Sequence, residues 1–503
     1  MEILQNLFTG FSIAFVAVNL LYCFIGVLIG TLIGVLPGIG PVATISLLLP
    51  VTYKMNPIQA IIVLAGIYYG AMYGGSTTSI LVNIPGEAAS VVTCLDGYKM
   101  AQKGRAGPAL GIAAFGSLIG GCFSLIGLML LAPTLASFAL RIGPPEFFSF
   151  LCTGLTVVIY LTSGSIIRAL MMAALGIILG CIGQDPESGS FRFFFGFHHL
   201  LSGIDLVPFI MGLFGISEVF LNIEKQLQKR TIYEGDIKDL LPNLQDWKGS
   251  IKPILRGSIL GFLVGILPGG GPVISSFASY AMEKKVSKHP EKFGTGAIEG
   301  VAGPETANNA ATGGSFIPLF TLGIPSNVVM ALLLGALVIH GVTPGPLLMQ
   351  QNPKIFWSVV ASMFIGNGML LVLNLPLIWI WVQVLKVPYR ILFPLILLFC
   401  LVGAYSVNNS NFDVALMLVF GVVGYLMRKY KYDAAPMVLA FVLGPMFENS
   451  LRQSLLLSDV SFGIFFIRPV AAVGMVATIL MLLSSVIPFI RKKRRKILEE
   501  EAA

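Results

Sequence analysis

GTLIGVLPGIGPV, residues 30–42, returns as GFLVGILPGGGPV at residues 261–273, with nine of thirteen positions identical and an offset of 231 residues. A second pair follows each copy. Gly74-Gly75-Ser76 precedes Ile84-Pro85-Gly86, and Gly313-Gly314-Ser315 precedes Ile324-Pro325-Ser326. The chain therefore reads as a duplication, and what is duplicated is glycine and proline inside apolar stretches. Both residues weaken helices, glycine through backbone entropy and proline by removing a hydrogen-bond donor.

The surrounding composition is that of a membrane protein. Of 503 residues, 56% are hydrophobic and 11% charged, against about 25% charged in soluble domains. Mean hydropathy is +0.87. Apolar windows fall at about 11–36, 57–82, 108–137, 147–162, 166–182, 205–222, 254–267, 315–338, 356–385, 390–405, 412–427, 434–447 and 463–489. With roughly 20 apolar residues needed per crossing, this predicts about 10–14 membrane elements, some broken or re-entrant, in an all-α polytopic protein. The opening MEILQNLFTG lacks a basic segment and no small-residue cleavage site follows, so the first helix is expected to stay in the membrane. The six cysteines make no CxxC pair and read as small buried hydrophobes. The adjacent His198 and His199 have no metal-ligand spacing to cysteines or carboxylates, so no metal centre is expected. The net charge of +8 is partly a block of six, Arg491 to Lys496, after the last apolar run. It reads as a topology anchor that keeps the C-terminus cytoplasmic, not as a nucleic-acid site.

These features divide the chain into an N-terminal membrane repeat over 1–223, a polar loop of mixed charge over 224–252, a C-terminal repeat over 253–490 and a basic tail over 491–503. Corresponding loops of the two repeats exchange their positive charge. After the IPG element stand Lys99, Lys103 and Arg105, whereas the counterpart from His340 has no Lys or Arg. After the first LPG element stands only Lys54, whereas the second is followed by Lys284, Lys285, Lys288 and Lys292. Halves inserted in opposite orientations give this pattern, with Asp96–Gly107 and Glu283–Phe293 both cytoplasmic. A weaker match joins GIILGCIGQDPESGS at 176–190 to AFVLGPMFENSLRQS at 440–454, which helix-end chemistry alone also explains.

Irregular backbone at membrane depth survives only where it lines a cavity or is buried in protein. Paired interrupted segments, one set per half, point to the binding site of a secondary transporter. The bland alternative for each LPG element is close helix packing through small residues; the repetition favours a site. Gly74 to Ser79 and Gly313 to Ser315 cluster short polar side chains beside flexible backbone. If each opens a half-helix, its amides, dipole and hydroxyls make an anion site that needs no arginine; otherwise each is an ordinary polar cap. Asn308, Asn309 and Thr312 offer oxygens suited to sodium. Glu87, Glu299 and Glu305 lie beside these motifs and are candidates as intramembrane acids, with helix capping the alternative for Glu305. Arg141, Arg168, Asp413 and Arg452 sit at the edges of apolar runs, where snorkelling is the simpler reading. No GK[ST] phosphate loop, GxSxG or HExxH motif is present, so enzymatic activity is not expected.

LPGIGP (36–41), GGSTTSILVNIPG (74–86), DGYKMAQKGRAGPALGIAA (96–114), LPGGGP (267–272), EGVAGPETANNAATGGSFIPLFTLGIPS (299–326) and HGVTPGPLL (340–348) follow in this order. Together they resemble the large membrane subunit (TctA) of bacterial tripartite tricarboxylate transporters. The resemblance implies import of organic di- or tricarboxylates across the inner membrane, delivered by a periplasmic binding protein (TctC-like) and assisted by a small membrane subunit (TctB-like). It implies no bound cofactor, an ion gradient (sodium expected) in place of ATP, and an elevator-type motion, with a homodimer conceivable. The substrate elements it implies are Gly38, Gly40, Gly74, Gly75, Ser76, Thr77, Pro85, Gly86, Gly269, Gly271, Gly313, Gly314, Ser315, Pro325 and Ser326. Asn308, Asn309 and Thr312 would hold the ion. A carboxylate channel, a proton-coupled exporter and a membrane enzyme are the rival readings.

Overall fold

The computed structural model describes residues 2–36, 40–161, 165–185, 187–224, 240–386 and 389–486. Gly38, residues 225–239 of the inter-repeat loop and the basic tail lie outside them. The described chain is helical apart from a two-residue ribbon pairing Gly183–Gln184 with Phe191–Arg192.

Two similar helix sets make the core. In the first half they are α1 (Ala17–Val35), α2 (Gly40–Thr52), α3 (Pro57–Val82), α4 (Val91–Gln102) and α5 (Ala106–Ala139). In the second half they are α6 (Leu244–Ile266), α7 (Gly271–Val286), α8 (Glu299–Gly314), α9 (Phe316–Leu322), α10 (Val328–Ile339) and α11 (Pro353–Asn374). Among the described residues seven helices are long and apolar enough to cross a membrane: α1, α3, α5, α6, α11, Leu206–Glu224 and Asn411–Lys429. Seven further apolar helices of 10–17 residues accompany them. Large apolar side chains such as Phe24, Leu130, Leu263, Phe399 and Val473 remain exposed, as a lipid-facing surface requires.

Glycine explains the closest contacts. In α1, a methyl group placed at Gly26, Gly30 or Gly34 would lie 2.6, 2.6 or 2.3 Å from the carbonyl oxygen of Val63, Ile67 or Ala71 of α3. In α6, Gly257, Gly261 and Gly265 would meet Gly303, Ala307 and Ala311 of α8 at 2.5, 2.2 and 2.4 Å. The three glycines repeat at the offset of 231 found in the sequence and their partners at 240, by subtraction of positions, so the duplication reaches one turn upstream of the quoted stretch. Small residues allow such backbone approach between helices in lipid.

The halves also exchange partners. Helix α5 packs on α8, where Gly116 and Gly120 face Thr306, and α11 packs on α3, where Gly366 faces Tyr69. The two basic loops lie side by side: Asp96 accepts from the backbone N–H groups of Gly294, Gly296 and Ala297 at 2.9, 2.7 and 2.8 Å, and from the Tyr280 hydroxyl at 2.9 Å.

One boundary differs from expectation. Residues 244–252 belong to α6, not to the polar loop over 224–252. Asn243 accepts from the Asp246 N–H at 2.9 Å, and Asp246 accepts from the Asn243 N–H at 3.2 Å. This capping box starts the helix inside the polar stretch. Around the core, Ile166–Gly180 packs on Ala435–Leu456, with Gly176 against the Met437 carbonyl. The weakly similar segments are thus packing partners, and their polar turns are joined by Arg452–Asp185 and Arg192–Glu448 ion pairs.

Candidate functional site

The two LPG elements and the two Ile-Pro tips meet at one cavity of about 440 Å³. It is lined by Gly40, Pro41 and Val42 at the start of α2, and by Pro272 and Val273 at the start of α7. Pro85, Gly86, Glu87 and Ala88 lead into α4 through a short 3-10 turn, and Asn327 and Val328 begin α10. The N-terminal ends of helical segments, two from each half, therefore face a shared volume. The helices α2, α7 and α10, of 13, 16 and 12 residues, each carry roughly half a positive charge at that end, with N–H groups that have no partner inside the helix. Tyr68 and Met72 of α3 form the floor, and Phe214, Glu218 and Arg428 form the outer wall. Arg428 is ion-paired to Glu218, so this cation is already neutralised. The volume is in the roughly 300–1,000 Å³ range of small-molecule sites.

Local chemistry fixes the tips. Gly40, Gly269 and Gly271 have φ of +66°, +78° and +53°, which other residues rarely adopt. The Gly269 N–H donates to the Ser326 carbonyl at 2.6 Å, tying the second LPG element to its Ile-Pro tip. In the first half Gly86 does the same by contact, since a methyl group there would lie 1.9 Å from the Gly34 carbonyl oxygen. Asn327 caps α10 by accepting from the Met330 N–H at 3.0 Å, and its amide nitrogen donates to the Tyr68 hydroxyl at 3.1 Å and to Ser315 Oγ at 3.3 Å. Ser276 of α7 donates to the Ala89 carbonyl at 2.7 Å.

The expectation that the GGS clusters open half-helices fails in the first half; in the second, Ser315 stands directly before the seven-residue α9, but its hydroxyl caps none of that helix's N–H groups. Gly74, Gly75, Ser76 and Thr77 lie inside the unbroken helix α3, so their amides are within the helix ladder and do not converge on a ligand. Gly74 packs on Thr31 and Gly34, and Gly75 on Glu87 and Ser90. Gly313 and Gly314 end α8 against Ser124 and Phe262, and Ser315 donates to the Ala311 carbonyl at 2.8 Å. Pro325 and Ser326 are buried behind Asn327, with Ser326 Oγ donating to the Ser315 carbonyl at 3.4 Å.

Asn308, Asn309 and Thr312 form a separate buried cluster that does not line the cavity. Its centre is Glu305, whose carboxylate accepts from the Ser76 and Thr93 hydroxyls of the first half and from Asn308 Nδ2 at 3.2 Å. Asn309 Nδ2 donates to Ser117 Oγ at 2.8 Å and to the Glu305 carbonyl at 3.0 Å, while Asn309 Oδ1 has no partner among the described residues. The Thr312 hydroxyl donates to the Asn308 carbonyl at 2.9 Å. These hard oxygens suit a small cation better than a transition metal. Among the described residues no group of three His, Cys, Asp or Glu side chains is close enough to hold a metal ion. Glu299, at the start of α8, is half-buried and away from the cavity.

Sequence reading missed Tyr68, Phe214, Glu218 and Arg428. Charged residues inside apolar segments were the available signal for the last two.

An all-helical polytopic membrane protein with a partly open site where segment ends from both halves meet defines a carrier-like class. The sequence model of the tripartite tricarboxylate transporter TctA family matches residues 20–439, and the chain belongs to that family. Two relatives come from Agrobacterium vitis. One, described as an uncharacterized 52.8 kDa protein in the TAR-I ttuC' 3' region, is 49% identical over 501 residues, all of both chains. The other, an uncharacterized protein in the TAR-II ttuC' 3' region, is 51% identical over 245 residues, 48% of this chain and all of the relative. No solved structure matches the chain. The family is a component of tripartite transporters, which makes this chain a transporter subunit.

Proposed function

We propose that this chain is the translocating subunit that imports an organic di- or tricarboxylate across the bacterial inner membrane. A periplasmic TctC-like protein delivers the substrate, a small TctB-like subunit assists, and sodium is the coupling ion. The single observation that carries the reading is the convergence of three positive helix ends, those of α2, α7 and α10, on the 440 Å³ cavity. Such ends hold carboxylates without a dedicated arginine, and the one cation among the described lining residues is already paired.

The exchange of basic charge between corresponding loops supports inverted repeats, with the adjoining loops at Asp96–Gly107 and 283–293 and the C-terminus cytoplasmic. The tips are tied to each other across the halves, whereas the outer wall comes from Leu206–Glu224 and Asn411–Lys429. This seam supports an elevator motion in which the tips move past that wall as one body. Asn308, Asn309 and Thr312, beside Glu305, are the proposed sodium site, and a homodimer built on the outer helices is consistent with a stationary scaffold.

The test is uptake of radiolabelled citrate and a panel of shorter carboxylates into proteoliposomes holding this chain with its small partner, a binding protein outside and an imposed sodium gradient. Sodium-dependent accumulation, lost in Asn308→Ala/Asn309→Ala protein that remains folded, is expected. Passive conductance without accumulation would establish a channel, and equal drive from a pH gradient without sodium would remove the sodium assignment.

A further inference from the structure

Glu87 is out of place in an anion site. It follows Ile84-Pro85-Gly86 at the first tip, where the second tip, Ile324-Pro325-Ser326, is followed by Asn327. Both residues line the cavity and both cap the turn that follows them. Their side chains are used differently. Asn327 spends its oxygen on the Met330 N–H and its nitrogen on Tyr68 and Ser315. Glu87 accepts from the Ala89 N–H through Oε2 at 2.6 Å, and Oε1 has no hydrogen-bond partner among the described residues. Glu87 is only 8% exposed. A buried carboxylate oxygen without a donor is an unfavourable state, more so beside a second anion.

The groups that face Glu87 do not neutralise it. Tyr68 of α3 and Glu305 of α8 lie on its inner side; across the cavity stand Glu218 and Arg428, which pair with each other. From α7 the cavity receives only Pro272 and Val273, and from α2 Gly40, Pro41, Val42 and Ala43. Among the described residues no cation is left over to balance both Glu87 and an incoming carboxylate.

We propose that Glu87 takes up a proton from solvent as the substrate carboxylate enters, so that the first tip carries a neutral carboxylic acid when the cavity is loaded. The inference rests on the reading of the cavity as the carboxylate site. The carboxylate of Glu87 becomes a carboxyl group, the proton travels with the substrate, and no other bond changes. Protonation also turns Oε1 or Oε2 into a donor that a substrate oxygen can accept from, which the ionised form cannot provide. The second tip reaches the same neutrality permanently through Asn327. The two tips would then match in charge only in the loaded state.

The experiment is titration calorimetry of the purified chain with its small partner, at pH 8, in buffers of different ionisation enthalpy, with and without sodium. Citrate is fully ionised at that pH, and a panel of shorter dicarboxylates serves beside it. Wild type is expected to take up about one proton per carboxylate bound, so that its Kd rises about tenfold per pH unit once Glu87 is ionised in the empty site. Glu87→Gln, which keeps the shape and is always neutral, is expected to bind with no proton uptake and with a Kd independent of pH between 7 and 9. Glu299→Gln, away from the cavity, serves as the control that retains proton uptake. Equal proton uptake by Glu87→Gln and wild type overturns the proposal, as does binding by wild type with no proton uptake. Absence of proton uptake together with a sodium requirement that Glu87→Gln abolishes assigns the metal ion, not the proton, to Glu87. If neither wild type nor Glu87→Gln binds any carboxylate of the panel, the cavity reading itself fails, and this inference with it.

Discussion

Asn327→Asp separates the fold from the charge of the site. Aspartate has the shape of asparagine, accepts from the Met330 N–H in the same way, and is favoured at a helix N-terminus. The Tyr68 hydroxyl, now an acceptor from Asn327, turns to donate to the new carboxylate. The helix and the tip are therefore kept, and what changes is a negative charge on the cavity wall. A substrate carboxylate about 5 Å away, at an effective dielectric constant of about 20, is repelled by about 3 kcal/mol. That is roughly two-hundredfold in Kd. Equilibrium binding of radiolabelled citrate to detergent-purified protein measures it directly. Asn327→Ala is the contrasting variant. It loses the cap and both donated bonds, which costs about 1–3 kcal/mol of stability, with a smaller effect on affinity. If Asn327→Asp binds within threefold of wild type while melting normally, the carboxylate does not sit among these segment ends.

Three further outcomes follow from the packing. Gly34→Ala and Gly265→Ala each push a methyl group to 2.3 and 2.4 Å from a partner backbone oxygen; each is expected to lose at least about 1–3 kcal/mol. Gly368→Ala, which meets nothing within 4 Å, is expected to be neutral or stabilising, and melting curves that rank the three alike would contradict this account. Glu305→Ala leaves the Thr93 and Asn308 donors buried without an acceptor and Ser76 with only the Met72 carbonyl at 3.4 Å, and a stability loss of about 2–3 kcal/mol or more is expected; a loss under about 1 kcal/mol would show that the cluster does not join the halves. In the loop after Gly180, Asp185 is held down to about 2, first by the Glu187 N–H and also by Arg452. A lowered folded-state pKa stabilises at pH above the ordinary value of 3.8 and is lost as pH falls through about 2. Amide-exchange protection across residues 181–192 should therefore be flat from neutrality to about pH 4 and decline between there and about pH 2.

Much of the fold was legible because the duplication was written in residues that cannot vary freely: Gly30, Gly34, Pro41 and their partners at 261, 265 and 272. The repeated spacing located the tips; the loop charges assigned both basic loops to the cytoplasmic side, and the contact between those loops came only with the structure. The GGS clusters misled for a physical reason. Two glycines and a serine look alike in sequence whether they break a helix or let another helix lie against it, and only the approach of Thr31 and Gly34 to Gly74 decides between them. Asn308 and Asn309 read as ligands because their oxygens suit a cation, yet the structure sets them beside Glu305, away from the large cavity. Arg428 and Glu218 stayed hidden because they come from segments about 210 residues apart, and nothing in either segment names the other.

The meeting of tips from both halves also governs how the protein is made. Glu87 leaves the ribosome 240 residues before Asn327, by subtraction of their positions. At about 5–20 residues per second, that is a delay of about 12–48 s. Through that interval Ser76 and Thr93 have no Glu305 to donate to, and α3 has no α11 to cover it. The newborn first half is thus a polar wound in the bilayer, closed only when the second half is translated. Insertion factors that shelter it during that pause would be as necessary to this protein as any of its own residues, and a chain stalled between Glu87 and Glu305 should be cleared by membrane proteases, not stored.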